Sequence, residues 1–169
     1  MDIFQATFET GGDFITSLTF DANGKRLATS HKDGTIRVFD IATQVITHEI
    51  KSHHLQCRQV HFSKDDNLLF SCSDDRQVTV VDTHSGRPVN SFSHSGMVLC
   101  VDPSSDDRHF LAGCADKKVV LWDLGMQRCV EKLDSQHSDQ VWGVKFSPDG
   151  KMAVSVGDDS LVQLYDMSR

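Results

Sequence analysis

The stretch HSDQVWGVKFSPDGKMAVSVGDDSLVQLYD, residues 137–166, decides how the rest of the chain is read. Its first six-residue strand, Val141–Phe146, runs into Ser147-Pro148-Asp149-Gly150, a turn that suits the fixed φ of proline and the permissive φ of glycine. Residues 152–156 form a second strand. Asp158-Asp159-Ser160 then turns the chain into a third strand at 161–165, closed by the aromatic-Asp pair Tyr165-Asp166.

The same unit occurs three more times upstream. Its turn aspartates are Asp33, Asp75, Asp116 and Asp159, spaced 42, 41 and 43 residues apart. Six residues after each comes a large apolar residue followed by Asp: Phe39-Asp40, Val81-Asp82, Trp122-Asp123 and Tyr165-Asp166. Twenty-two residues before three of them stands a histidine (His53, His94, His137), with Gly11 in the first unit. A period of about 40–45 residues with four strands per unit is the pattern of the WD-repeat (WD40) β-propeller family. The predicted fold is therefore all-β, with four repeats at about 11–50, 53–93, 94–133 and 137–169 making one domain over 1–169.

Composition agrees with a folded chain. Of 169 residues, 38% are hydrophobic and 24% charged, with no low-complexity stretch. The net charge of −7 argues against a broad phosphate-binding surface, so no direct nucleic-acid binding is expected. The N-terminus lacks the basic start and apolar run of a signal peptide, and no apolar stretch approaches a membrane span. A soluble, intracellular protein is expected. Cys57, Cys72, Cys100, Cys114 and Cys129 are odd in number and form no C-x-x-C pair, so they read as small buried hydrophobes. No metal or cofactor is expected.

Strands are predicted in order. Residues 3–8 form a short strand ahead of the first repeat. Strands at 15–20, 26–30 and 35–39 build repeat one, and 45–50 connects onward. Repeat two uses 57–62, 68–72 and 77–81, with a connector at 88–93. Repeat three uses 98–102, 110–113 and 119–122, with a connector at 129–133. In WD propellers, which the repeats resemble, the connector completes the preceding blade as its outer strand, which implies that the fourth blade here lacks one. Four short blades suit an arc of a larger ring better than a closed ring turning 90° per blade. Such an arc leaves unpaired edges.

His137, Ser155 and Asp159 have the residue types of a hydrolase triad. The same set recurs at His53, Ser71 and Asp75, and a catalytic set does not normally repeat with a structural period. The resemblance to WD repeats, in which the same His, Ser or Thr, Asp and aromatic positions bond to one another inside a blade, implies that these residues, with Tyr165, form buried hydrogen-bond networks. Repeat three offers His94, Asp116 and Trp122 but Ala112 in the hydroxyl position. Repeat two has Val81 where the aromatic should be. Repeat one, with Gly11, Thr29, Asp33 and Phe39, is the weakest. The histidines recur at the blade period, which spreads them around a ring and away from shared metal ligation.

The remaining signal is a surface. Three positions per repeat should share the face on which partners of WD propellers usually dock: either side of each first strand's leading residue, and just before the turn aspartate. They are Phe14, Thr16 and Lys32; Gln56, Arg58 and Asp74; Met97, Leu99 and Ala115; Gln140, Trp142 and Asp158. Trp, Arg, Met and Phe are enriched in protein interfaces. Trp142 stands where ordinary repeats place a small polar residue, which favours the interface reading for it.

Longer strings carry a narrower resemblance. HSDQVWGVKF, VSVGDD and the closing YD resemble the last blade of the WD-repeat subunits of superkiller complexes. CADKKVVLWDLGMQRCV resembles their penultimate blade, and GTIRVFDIAT the blade two before that. The likeness runs from Gly12 to Arg169. It implies the last four blades of a seven-bladed ring, with 3–8 as the outer strand of the preceding blade. It also implies a non-catalytic scaffold for a helical-repeat (TPR-type) partner. Such a scaffold would serve exosome-linked 3′-to-5′ mRNA decay in the cytoplasm, and the RNA polymerase II-associated factor complex in the nucleus. The alternative is another WD adaptor, such as a ubiquitin-ligase substrate receptor or a signalling anchor.

Overall fold

A computed structural model describes residues 6–11, 13–133 and 136–168. They form fifteen strands, and no residue among them is helical. The first blade is β1 (Ile15–Phe20), β2 (Arg26–His31), β3 (Thr35–Asp40) and β4 (Val45–Lys51). The second is β5 (Cys57–Phe62), β6 (Leu68–Ser73), β7 (Gln77–Asp82) and β8 (Arg87–Ser93). The third is β9 (Val98–Pro103), β10 (His109–Cys114), β11 (Val119–Asp123) and β12 (Arg128–Leu133). Among the described residues the fourth has β13 (Val141–Phe146), β14 (Met152–Gly157) and β15 (Val162–Asp166). Each blade is a separate antiparallel meander in chain order, and no ladder joins one blade to another. The architecture is the predicted one, WD40-type blades in an open, partial propeller.

The predicted strand at 3–8 falls partly on residues 3–5, which lie outside the described ones; residues 6–8 are not in a strand. Phe8 instead sets its ring edge-on to Phe39, with centroids 5.5 Å apart.

Every second strand runs one residue further than expected. The cause is a β-bulge in each first strand, where the register shifts after Ile15, Cys57, Val98 and Val141. The leading residue still pairs with the end of the next strand, as in Ile15 with His31 and Cys57 with Ser73. The residue after it, Thr16, Arg58, Leu99 or Trp142, is left out of the ladder. A bulge bends its strand and re-aims the unpaired side chain.

The core lies between blades. The back of blade one (Ala28, Ile36, Val38, Ile50) packs on the front of blade two (Cys57, Val60, Phe62, Leu69, Val81). The back of blade two (Phe70, Val78, Val80, Phe92) meets Val98, Val101 and Phe110 in front of blade three. Leu111, Val119 and Leu121 then meet Val141, Val144 and Ala153 of blade four. Equivalent positions therefore bury themselves three times over. At the two ends of the arc the same positions lie open. Leu18 and Phe20 on the front of blade one are 61% and 58% exposed, and Val162 and Leu164 on the back of blade four are 73% and 66% exposed.

Candidate functional site

The apparent triads were the first candidates for chemistry. In blade two, His53 Nδ1 donates to the Asp75 carboxylate (3.0 and 3.2 Å), and His53 Nε2 lies 2.8 Å from Ser71 Oγ. Blade four repeats this: His137 Nδ1 to Asp159 at 2.8 and 3.0 Å, and Nε2 to Ser155 Oγ at 2.8 Å. Tyr165 extends the second set, with its hydroxyl 2.9 Å from Ser155 Oγ and 3.0 Å from Gln163 Oε1. Burial disfavours ionisation of Asp75 and Asp159. The histidine bonds and the backbone N–H groups of the flanking residues outweigh it, and both carboxyls are held below the usual range. Ser71 and Ser155 have no exposed surface, so neither hydroxyl has room for a substrate beside it. A nucleophile must reach its electrophile. These groups hold turns together instead: Asp75 and Asp159 clamp the entry to one strand and the turn into another.

The other two blades depart from the expected pattern. In blade three Asp116 does not reach His94. It is bonded by Ser95 Oγ and Lys118 Nζ. With Ala112 in the hydroxyl position, Trp122 Nε1 donates directly to His94 Nε2 at 2.9 Å, and His94 Nδ1 donates to the Phe92 carbonyl at 3.1 Å. Burial pushes the His94 pKa down to about 4. In blade one, Asp33 accepts the Thr35 N–H at 2.9 Å. Thr29 does have a histidine partner, a different one: His31, buried at the end of β2, with Nε2 2.9 Å from Thr29 Oγ1. Gly11 leaves the usual histidine position empty, and the Arg37 guanidinium passes beside it. His31 was legible in the sequence only as a histidine at a position where the other repeats have Ser73, Cys114 and Gly157.

The cysteines are free. Burial raises the thiols of Cys57 and Cys114 to about 12, so neither is a thiolate at neutral pH. Among the described residues no cluster has the ligands for a metal ion, and no helix is long and apolar enough to cross a membrane.

The predicted face is assembled by one device used four times. A backbone bond joins the residue before the turn aspartate to the residue before each first strand: Lys32 N to Phe14 O, Asp74 N to Gln56 O, Ala115 N to Met97 O, and Asp158 N to Gln140 O, at 2.9–3.1 Å. The bulge sets Thr16, Arg58, Leu99 or Trp142 beside that bond. In every blade the three predicted positions are thereby neighbours. Phe14, Thr16, Gln56, Arg58, Leu99 and Trp142, which come from all four blades, line one depression of about 360 Å³. Ser17 and Gln59, which sequence reasoning missed, line it too. Met97, Gln140, Asp74 and Asp158 lie outside its lining.

These residues differ in how available they are. Phe14 is 71% exposed, Trp142 46% and Met97 38%. Leu99, read as outward-facing, is buried at 6% and can offer only a floor. Thr16 Oγ1 is spent on the Cys57 carbonyl and Ser30 Oγ. Arg58, expected on this face as a residue for a partner, is not free to meet one. Its Nε and Nη2 both reach the Asp74 carboxylate, at 2.7 and 2.8 Å, so these two candidates satisfy each other.

Comparison with known proteins points the same way as the fold. The family profile "WD domain, G-beta repeat" matches residues 86–123 and 127–166. The profile "Anaphase-promoting complex subunit 4 WD40 domain" matches 1–65. The WD repeat-containing protein 89 homolog of Dictyostelium discoideum is 26% identical over 99% of the chain and 46% of its own length. The WD repeat-containing protein 26 homolog of Arabidopsis thaliana is 29% identical over 94% of the chain and 27% of its own length. WD repeat-containing protein SL1-17 of Schistosoma mansoni is 34% identical over 95% of the chain and 54% of its own length. The chain thus spans about half, or less, of these relatives.

Proposed function

The chain belongs to the WD40-repeat family, and from that premise we propose that it is a non-catalytic scaffold holding a protein partner on the face shared by its four blades. The observation that carries this is the depression where an exposed Trp142 and an exposed Phe14 converge from opposite ends of the arc onto the Leu99 floor. An aromatic anchor beside an apolar floor is the composition of an interface hot spot. Proteins of this family generally act as interaction scaffolds.

The finer reading is a superkiller-like subunit that grips a TPR-type helical-repeat protein in cytoplasmic 3′-to-5′ mRNA decay and in the nuclear polymerase-associated factor complex. Its support is the run of strings in blades one, three and four described above. Affinity purification from cells, with identification of co-purifying proteins, tests both levels. Helicase and helical-repeat subunits are expected. A cullin-ligase adaptor in their place would overturn the finer reading, and recovery of no partner would overturn the scaffold. Trp142→Ala should weaken partner binding at least about tenfold, equivalent to 1.4 kcal/mol.

A further inference from the structure

Blades two and four are built alike at the face and differ in one exchange. In both, a bulge follows the leading residue of the first strand. In both, the residue before the turn aspartate donates its N–H to the residue before that strand, Asp74 to Gln56 at 3.1 Å and Asp158 to Gln140 at 2.9 Å. The backbone therefore sets Trp142 and Asp158 at the positions that Arg58 and Asp74 hold in blade two. Blade two fills this arrangement from within: Arg58 forks onto Asp74 through two nitrogens. Blade four has the carboxylate without the cation. Trp142 and Asp158 are both exposed, and among the described residues the Asp158 carboxylate accepts no side-chain hydrogen bond and joins no ion pair.

From this, and resting on the scaffold reading above, we infer that Trp142 and Asp158 form a receptor for an arginine side chain of the partner protein. The incoming guanidinium lies on the indole face and forks onto Asp158, in the place that Arg58 occupies for Asp74. The chemistry selects arginine over lysine. A planar guanidinium both stacks on an aromatic face and pairs with a carboxylate through two nitrogens, whereas an ammonium is a compact, strongly hydrated point charge. Residues beside that arginine in the partner reach the depression floored by Leu99.

The test uses the full chain and the tripeptide acetyl-Gly-Arg-Gly-amide, followed by the two indole N–H signals in NMR. Trp122 is the internal control, because its Nε1 is committed to His94. The Trp142 signal should move saturably with added tripeptide while that of Trp122 stays put. The citrulline tripeptide, which has the same shape without the charge, should not move it. Asp158→Asn should weaken the response about tenfold, with an unmoved Trp122 signal reporting an intact fold. An unresponsive Trp142, an equal response to citrulline, or unchanged affinity in Asp158→Asn would each overturn the inference. If the partner is recovered equally well by wild-type and Asp158→Asn protein, the arginine receptor fails while the scaffold stands. If the purification recovers no partner, the scaffold itself fails.

Discussion

His94 illustrates how one substitution redirects a buried network. Ala112 removes the hydroxyl that Ser71 and Ser155 supply elsewhere, so the indole N–H of Trp122 takes its place as the donor to Nε2. Nε2 must then stay unprotonated, because a proton there would face the indole N–H. Burial reinforces this by lowering the ring's pKa from 6.5 to about 4. A histidine depressed in the folded state binds more protons unfolded, so its contribution to stability is complete above about 6.5 and is lost as pH falls toward about 4. Between pH 7 and pH 5 this loss should be on the order of 1–2 kcal/mol. Urea midpoints at the two pH values check it: wild type should fall further than His94→Gln, and parallel falls would rule the assignment out. The clamp aspartates differ in the same local way. Asp159 holds His137, Ser138 and Leu161, whereas Asp33 holds the Thr35 N–H. Asp159→Ala should therefore shift the denaturant midpoint at least about twice as far as Asp33→Ala. Equal shifts would count against it.

At the scale of a strand and its turns, four blades solve one backbone problem with different residues. The turn from second to third strand needs a positive φ just after the aspartate, adopted by Gly34 (82°), Arg76 (67°), Lys117 (72°) and Ser160 (64°). Only blade one uses glycine, and it has a further reason: a Cβ on Gly34 would run into the His53 carbonyl oxygen and lie 2.6 Å from that of Leu55. Both neighbours are backbone and cannot step aside. Gly34→Ala should cost about 2 kcal/mol or more, read as a lowered melting temperature; a near-neutral effect would mean that the turn is looser than this. Most of the strand pattern was legible, because Pro-Asp-Gly and Asp-Gly turns and aromatic-Asp closures mark it in the sequence. The bulges were not. Period-two alternation alone says that Arg58 and Trp142 point away from their neighbours, but an inserted residue has no signature in residue type. It shows only as the extra pair that Cys57 makes with Ser73 and Val141 with Gly157. Nor could the sequence show that Arg58 and Asp74, sixteen residues apart, would meet and cancel as candidates.

For the whole molecule, each internal interface joins the back of one blade to the front of the next, and among the described residues the arc ends with one of each surface unmatched. The open front presents Ile15, Leu18 and Phe20, equivalent to Cys57, Val60 and Phe62 of blade two, which are almost wholly buried. The open back presents Val162 and Leu164, equivalent to Ile36 and Val38 of blade one, which are likewise buried. The two surfaces are complementary by construction, since each is the counterpart of what the other already meets inside the chain. Apolar area of this kind is worth about 25 cal/mol per Å² when it leaves water, and among the described residues β15 carries an unpaired outer edge that adds a template for pairing. The chain expressed by itself should therefore associate front to back, giving dimers or larger species by light scattering at micromolar concentration. Leu164→Lys places a charge in the middle of the open back at a side chain already 66% exposed, so the fold has little to lose. That variant should shift the population toward monomer with little change in melting temperature. A wild-type chain that stays monodisperse and monomeric while melting cooperatively would show that the two end surfaces do not meet, and the blades would then have to be stable with both faces in water.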